Sequence, residues 1–309
     1  MVADLEAALR SSGVEYSLDF TRAPGHAREM ALTARGQPSA VLVVGGDGTV
    51  HEVATGLLSG TTPERPGPPL PPLAVLPVGT GNDFCRMVRG AGSVGGAVRT
   101  LREGVARPFE VGFVRWDGGQ GHFVNLVGVG IDVEVLKRRA SFTALRGLPQ
   151  YLAALGSALL RYRPVRLGVT SRSSSGPAAS IEPAASMEGE VLLAAVTVGP
   201  SVGGGFLLSP AARPDDGLLD LFVAENMGMV QLLRSLPGIL RGTDEPTEGV
   251  HRQQVSGIEL RRLDGEPLFF ELDGEIMAEG TTVLDVRIQV GSLRVLELPE
   301  GRPQGREDA

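Results

Sequence analysis

The stretch VLVVGGDGTVHEVATGL, residues 41–57, decides the fold. Its apolar opening, Ala40–Val44, reads as a strand buried on both faces. Gly45–Thr49 is a glycine turn, and Val50–Leu58 has the spacing of a helix. The same order returns in LAVLPVGTGNDFCRMV, residues 73–88. Leu73–Leu76 is the strand there, Pro77–Gly81 the turn, and Asn82–Arg89 opens a helix. Two strand–turn–helix units in succession predict a parallel α/β sheet.

Working outward, Asp4–Ser12, His26–Arg35 and Ala97–Gly104 are helical in pattern, and Val14–Phe20 alternates like a strand. The chain opens on a helix, so the sheet is expected to lack its usual first strand. From Phe109 the texture changes to strands: Phe109–Trp116, Gly121–Val129, Val165–Thr170, Glu190–Val198, Leu218–Val223, Gly257–Arg262, Leu268–Leu272, Val283–Val290 and Arg294–Leu298. Helical runs at Val133–Arg161, broken near Gly147, and at Met229–Arg241 interrupt them. Ser171–Glu188 is low in complexity and reads as a disordered hairpin tip. The expected organisation is an open parallel α/β domain over 1–112, an antiparallel β-sandwich over 113–300, and a disordered tail over 301–309.

Composition removes several function classes. The chain has 309 residues, 43 of them Gly, with 42% hydrophobic residues, which argues against disorder. A formal net charge of −7 disfavours a nucleic-acid partner. The single Cys, Cys85, excludes an internal disulfide, and the four His lie too far apart for a zinc motif. No apolar run is long enough for a membrane-spanning helix, and the N-terminus has no secretory pattern, so a cytoplasmic chain is the default. The only Lys is Lys137, which excludes a Walker A loop.

The chemistry gathers at the two glycine turns. Consecutive glycines let backbone amides approach a ligand, and a helix start adds the positive end of its dipole. Neighbouring units of this kind form a crevice at the carboxyl ends of the strands. Thr49 and Thr80 supply hydroxyls. Asp47 in the first turn and Asp83 after the second would repel a bare phosphate, so they suggest a metal between carboxylate and phosphate. Taken alone, the first turn reads equally as a tight turn with Asp47 as the helix N-cap. Pro214-Asp-Asp-Gly-Leu-Leu-Asp220 reads as an Asp-Gly turn that also carries oxygen ligands for a cation. In Phe269-Phe-Glu-Leu-Asp-Gly-Glu275, Asp273 and Glu275 are either exposed hairpin acids or a general base beside an apolar strand.

In order, these elements resemble the diacylglycerol kinase catalytic family, in particular its bacterial lipid kinases. The resemblance rests on Thr21 with His26-Ala27, on Gly45–Glu52, and on Pro77–Phe84. It continues through Asn125…Gly128-x-Gly130-x-Asp132, Asp215–Asp220 and Asp273-Gly-Glu275. It implies Mg²⁺-dependent transfer of the γ-phosphoryl of ATP to a lipid hydroxyl, in a cleft between the two domains. By carry-over, Thr21, Gly45, Gly46, Asp47, Gly48, Thr49, Val50, His51, Gly79, Thr80 and Asn82 would bind nucleotide. Asp47 and Asp83 would organise the metal–water–phosphate network. Glu275 would be the general base, with Asp273 beside it. A structural Mg²⁺ would be held by the Asp216 carboxylate and the carbonyls of Arg213 and Leu218. Glu110 stands where the family often carries Asp.

Two other readings share these residues. One is an NAD kinase-like phosphotransferase with a soluble substrate. The other is a truncated, inactive nucleotide- or lipid-binding protein, because the family's leading Asn-Pro-x-x-Gly strand–turn is missing. Tyr151–Arg163 and Met229–Arg241 are apolar helices ending in Arg. They either rest on an anionic membrane surface or pack on the β domain. The expected partners are therefore ATP, a lipid and peripherally the inner membrane surface, with a homodimer compatible.

Overall fold

The computed structural model describes residues 1–299 except 91, 161, 174–181, 229–230, 233, 236, 239–241, 243–246 and 278–279. The first half is a three-layer unit. Helix α1 (Val2–Ser12) is followed by α2 (His26–Ala34), β1 (Val41–Gly45), α3 (Asp47–Leu57), β2 (Leu73–Pro77) and α4 (Val94–Glu103). β1 and β2 pair in parallel, from Val41↔Leu73 to Gly45↔Pro77. Ala27 and Ala31 of α2 and Val50, Val53, Ala54 and Leu57 of α3 bury one face of these strands. Leu5 and Leu9 of α1 and Ala97 and Val98 of α4 bury the other, against Leu76. Small residues on α2 and α3 let the two helices lie close to the sheet and to each other.

The second half is antiparallel. Its strands are β3 (Val105–Trp116), β4 (Gly119–Phe123), β5 (Leu126–Gly130), β6 (Val165–Ser173), β7 (Glu182–Thr197), β8 (Leu219–Glu225), β9 (Val250–Val255), β10 (Gly257–Arg262), β11 (Phe270–Leu272), β12 (Glu275–Ile276) and β13 (Val283–Glu297). Helices α5 (Ile131–Arg139) and α6 (Leu148–Leu159) cross between β5 and β6. Residues from β3, β5, β6, β8, β10 and β13 enclose one apolar cluster, with Phe123, Leu167, Leu219, Ile258 and Leu284 at its centre. That is the sandwich core.

β3 and β13 run through both halves. β13 pairs with β3 from Val105↔Glu297 to Trp116↔Leu284, with a bulge between Gln289 and Leu293. Beyond the bulge its Val295 lies parallel to Leu73 of β2, so the C-terminal strand extends the α/β sheet.

The structure departs from the sequence reading at several points. Val14–Phe20 is not a strand. β1 pairs only with β2 among the described residues, so this alternating segment has no ladder to join. The helix expected at Asn82–Arg89 shrinks to a 3₁₀ turn, Phe84–Met87. Gly121–Val129 is two strands, because Val124 and Asn125 turn their amides to a carboxylate instead of a neighbour. Val283–Val290 and Arg294–Leu298 are one bulged strand. β9 carries no apolar alternation strong enough to announce it. Within the expected disordered tip Ser171–Glu188, the described residues are instead laddered strand, with β6 and β7 paired as far as Ser173↔Glu182. The expected helix Met229–Arg241 lies largely outside the described residues, as do 174–181 and the tail 301–309.

Candidate active site

The two glycine turns meet. A Cβ on Gly79 would lie 2.6 Å from the Gly46 Cα, and one on Gly46 would lie 3.0 Å from the Gly79 Cα. Only hydrogen side chains allow this approach. Asn82 holds the second turn: its Oδ1 accepts from the Gly79 amide at 3.0 Å and its Nδ2 donates to the Gly79 carbonyl at 2.8 Å. Asn82 pays for that clasp with a left-handed backbone, φ 53°. Asp47, Gly48 and Thr49 form the first turn of α3; the Thr49 amide donates to the Gly46 carbonyl at 3.0 Å, while the Asp47 and Gly48 amides precede the first intrahelical acceptor.

Asp47 looks across to the second turn. Its Oδ1 accepts from the Phe84 amide at 3.0 Å. Its Oδ2 lies beside Gly81, where a Cβ would come within 2.8 Å. Burial raises the Asp47 carboxyl above the usual range, and the charges of Asp83 and Asp273 add to the effect against the Phe84 amide. Asp83 is committed elsewhere. It accepts from Ser201 Oγ at 2.9 Å, the Gly204 amide at 2.7 Å and the Gly205 amide at 2.8 Å. It therefore clasps the Gly203-Gly-Gly205 loop of the β half to the α/β half.

Asp273 is committed still more fully. Its carboxylate accepts from the amides of Val124, Asn125 and Leu126, each at 2.8 Å, and pairs with His51 Nδ1 at 2.7 Å. His51 sits on α3, so this pair also crosses between the halves. Burial pulls the His51 imidazole down, but the hydrogen bond and charge of Asp273, with the charge of Glu275, raise it overall. Glu275 opens β12 with its side chain exposed.

These groups surround a cavity of about 70 Å³ lined by Asp47, Gly81, Asp83, Asn125, Asp132, Arg139, Glu271 and Asp273. Phe84, Val124, Leu126, Leu136 and Val202 form its apolar wall. A separate open cleft of about 330 Å³ lies between Thr21–Pro24 and Thr49, with Glu52 at its base. Glu52 fixes that loop by accepting from the Gly25 and Ala27 amides at 2.9 and 3.0 Å.

The proposed nucleotide residues thus divide. Thr21 and Thr49 share the open cleft. Gly45, Gly46, Gly48, Gly79, Thr80 and Asn82 belong to the two turns. The Val50 side chain is in the core and His51 is held by Asp273. Cys85 has its thiol pushed up to about 12 by burial, then by the charge of Asp47, so it is no nucleophile.

The loop proposed for a structural cation lies apart. Asp216 Oδ1 accepts from the Leu218 amide at 3.0 Å and Oδ2 from Gln254 at 3.0 Å. Next to it, Glu110 accepts from the Gly217 amide, yet Glu110 Oε2 and Asp220 Oδ2 are buried without a partner. Burial first, then the charge of Asp216, pushes Glu110 up to about 7 and Asp220 up to about 6. Orphaned carboxylate oxygens around a loop of carbonyls fit a hard divalent cation. Among the described residues, no three His, Cys, Asp or Glu form a metal cluster by themselves. Asp220 was not singled out as a ligand by the sequence. Its orphaned oxygen appears only once Asp216 and Glu110 are placed around it.

Of the apolar helices, α6 buries Tyr151, Ala154 and Ala158 against α5 and β7, while Leu160 just beyond it is 80% exposed. Arg161 lies outside the described residues. Among the described residues no helix is long and apolar enough to cross a membrane.

Residues 1–114 match the diacylglycerol kinase catalytic domain, and residues 125–297 match the YegS C-terminal NAD kinase beta sandwich-like domain. A Pseudomonas aeruginosa (strain UCBPP-PA14) protein described as "Probable lipid kinase YegS-like" is 33% identical, covering 97% of this chain and 90% of its own. The Bacillus subtilis (strain 168) protein described as "Diacylglycerol kinase" is 30% identical, covering 85% of this chain and 80% of its own. A solved diacylglycerol kinase structure from Bacillus anthracis str. Sterne superposes with a TM-score of 0.65 at 19% identity. It covers 94% of this chain and 88% of that one.

Proposed function

The chain belongs to the diacylglycerol kinase catalytic-domain family, and on that premise we propose that it transfers the γ-phosphoryl of ATP to a lipid hydroxyl with Mg²⁺. The observation that carries this reading is the meeting of Gly46 and Gly79 above Asp47, beside a cavity with one polar and one apolar wall. Free backbone amides of the two turns take the phosphates, in a chain whose only lysine is Lys137. Thr21 and Thr49 line the cleft for the rest of the nucleotide. At about 70 Å³ the cavity takes only the hydroxyl end of an acceptor, set against the apolar wall from Phe84 to Val202.

In the transfer, the acceptor oxygen attacks the γ-phosphorus, the bond to the β-phosphate oxygen breaks, and ADP leaves. Glu275 takes the acceptor hydroxyl proton. Asp273 anchors residues 124–126 and His51. Asp47 turns its uncommitted Oδ2 toward the phosphates, and Asp83 holds the two halves around them. Mg²⁺, when bound, would supply charge neutralisation for the phosphates. The Asp216 carboxylate with the Arg213 and Leu218 carbonyls, supported by Glu110 and Asp220, would hold a second, structural Mg²⁺. The helix α6 and its exposed Leu160 favour peripheral contact with a membrane.

The test is γ-labelled ATP offered with a panel of diacylglycerol, phosphatidylglycerol, a sphingoid base and a polyprenol, and in parallel with NAD. Label is expected in the organic phase. Label in NAD, or none in any lipid, overturns the reading. Glu275→Gln is expected to lower kcat by about 10²–10⁴-fold with the fold intact. Near-normal turnover removes Glu275 from the role of base.

A further inference from the structure

Two carboxyls on the cavity wall have no task in that transfer. Asp132 stands at the start of α5 and is 6% exposed, and Glu271 lies on β11 and is 1% exposed. Glu271 is paired across the ladder with Gly128 of β5. A Cβ on Gly128 would lie 2.6 Å from Asp132 Oδ2 and 2.8 Å from Glu271 Oε1. The two oxygens therefore converge over the one position that has no side chain to separate them.

The other oxygen of each group is already used. Tyr151 Oη, on α6, donates to Asp132 Oδ1 at 3.0 Å. The Gly274 amide donates to Glu271 Oε2 at 2.6 Å. Glu271 Oε1 is buried and receives no N–H or O–H among the described residues. Its neighbour over Gly128 is Asp132 Oδ2. Ionised carboxylates only accept, so these two oxygens can bond only if one of the groups carries a proton.

We propose that Asp132 and Glu271 hold one proton between them, and that this proton positions the Asp273–Gly274–Glu275 turn, so that phosphoryl transfer fails as the pair ionises. The inference rests on the lipid-kinase reading and deepens it. Gly274 separates the amide anchor Asp273 from the base Glu275, and Glu271 Oε2 fixes the Gly274 amide. With both carboxyls ionised, repulsion drives Glu271 off Asp132 and releases that amide. Through Tyr151 and Asp132 the same proton ties the α5–α6 pair to the catalytic turn. Both are positioning residues, since neither is asked to touch the reacting atoms.

The surroundings oppose ionisation. Burial raises both carboxyls, and the charge of Asp132, then that of Asp273, raises Glu271 further, while the Tyr151 hydrogen bond and the charge of Arg139 work against the rise of Asp132. Asp47 and Asp83 face the same cavity. Arg139 of α5 is the one cation named against the pair, and it is shared with Gln150 at 3.3 Å. Tyr151 is itself pushed well above its ordinary value by burial and by Asp132. The pair titrates as a unit.

The sign of the effect follows. Above the ordinary carboxylate range the folded chain keeps a proton that the unfolded chain has lost. Stability is therefore greatest at low pH for this pair and falls as pH rises toward the raised value. The experiment uses the full chain and two readouts: Tm from the ordinary carboxylate range, about pH 4, up to alkaline pH, and kcat over the same range. Glu271→Gln keeps an acceptor for Gly274 and donates an amide N–H to Asp132 without a titrating proton. It is expected to flatten the alkaline fall of Tm and of kcat relative to its own neutral value. Glu271→Ala is expected to lose kcat at all pH values by at least tenfold, with KM for ATP changed less.

Asp132→Asn is the second variant, with the same expected flattening, should Glu271→Gln not fold. If the alkaline slopes of Tm and kcat in the folded variant match those of the parent chain, no proton is shared and the proposal is overturned. A slope that disappears in the parent chain on adding Mg²⁺ also overturns it, since a cation then bridges the oxygens. If no lipid is phosphorylated at all, the Tm arm still decides the pair, and the kinase reading alone falls.

Discussion

Asp273 shows what a single residue can and cannot reveal in a sequence. Its place in Asp-Gly-Glu beside an apolar strand marks it as a site acid. Its work, however, depends on a left-handed φ of 49° and on three consecutive amides from a segment far away in the chain. No spacing rule links residue 273 to 124–126. The pairing of Asp132 with Glu271 was hidden for the same reason, as neither is near the other in sequence. Asp273→Asn makes the difference measurable. An amide offers one acceptor atom where the carboxylate offers two, so an N–H from residues 124–126 or His51 must lose its partner. The loss is expected to cost about 1–3 kcal/mol in denaturant unfolding. The His51 imidazole should show it directly. With Asp273 neutral, burial is left facing only the charge of Glu275, and the imidazole pKa measured by NMR should fall relative to the parent chain. An unchanged His51 titration would falsify the ion pair.

At the scale of elements, the strand–turn–helix units were legible because burial on both faces leaves an uninterrupted apolar run, and glycines mark the handover to a helix. What was not legible was competition for backbone groups. Asn82 clasps Gly79 and Asp83 reaches into the other half, so the segment after β2 cannot wind into the helix that its apolar spacing suggests. Val14–Phe20 has the alternation of a strand but no neighbour to pair with, and propensity alone does not hold a strand. Glycine also has a second use that periodicity does not reveal. Besides the Gly46–Gly79 contact, a Cβ on Gly204 would lie 3.0 Å from the Gly147 Cα, so the α5–α6 loop and the Asp83 clasp also meet at glycines. Gly79→Ala tests the first contact. The added methyl would meet the Gly46 Cα at 2.6 Å and Asn82 Oδ1 at 2.8 Å, so the turns must separate and the Asn82 clasp must shift. ATP affinity measured by calorimetry is expected to fall at least tenfold, about 1.4 kcal/mol, while Tm moves by a few degrees. Unchanged affinity means that the turns do not act together on the nucleotide.

Across the whole molecule, the two-part fold could be read from the change of texture near Phe109, but the join could not. β3 and β13 pass through both halves, and a small buried network is set beside them. His122 on β4 donates from Nε2 to Gln289 Oε1 on β13 at 3.2 Å, and Gln289 Nε2 donates to Thr61 Oγ1 at 3.0 Å. Thr61 follows α3 and gives its own proton to the Leu58 carbonyl at 2.8 Å. Burial pushes His122 down to about 4, and the nearby positive charges of Arg28 and His51 push in the same direction. The imidazole is thus neutral in the fold but ionises freely in the unfolded chain. Stability from this site is complete above the unfolded value of 6.5 and is lost as pH falls toward 4. The full swing is about 3 kcal/mol as an order of magnitude. Raised carboxyls such as Asp47 and Glu110 act in the opposite sense, since they favour the folded state as pH falls. The total curve therefore conceals the histidine, and only a difference between variants exposes it. His122→Gln keeps an N–H donor toward Gln289 and removes the titration. In urea unfolding the variant is expected to be less stable than the parent at neutral pH, by about 1–2 kcal/mol for the poorer packing. That gap should close and then reverse between pH 6.5 and 4, because protonation of the imidazole favours the unfolded parent by more than the gap. A gap that stays constant across the range means that His122 is not the acid-sensitive tie between the halves.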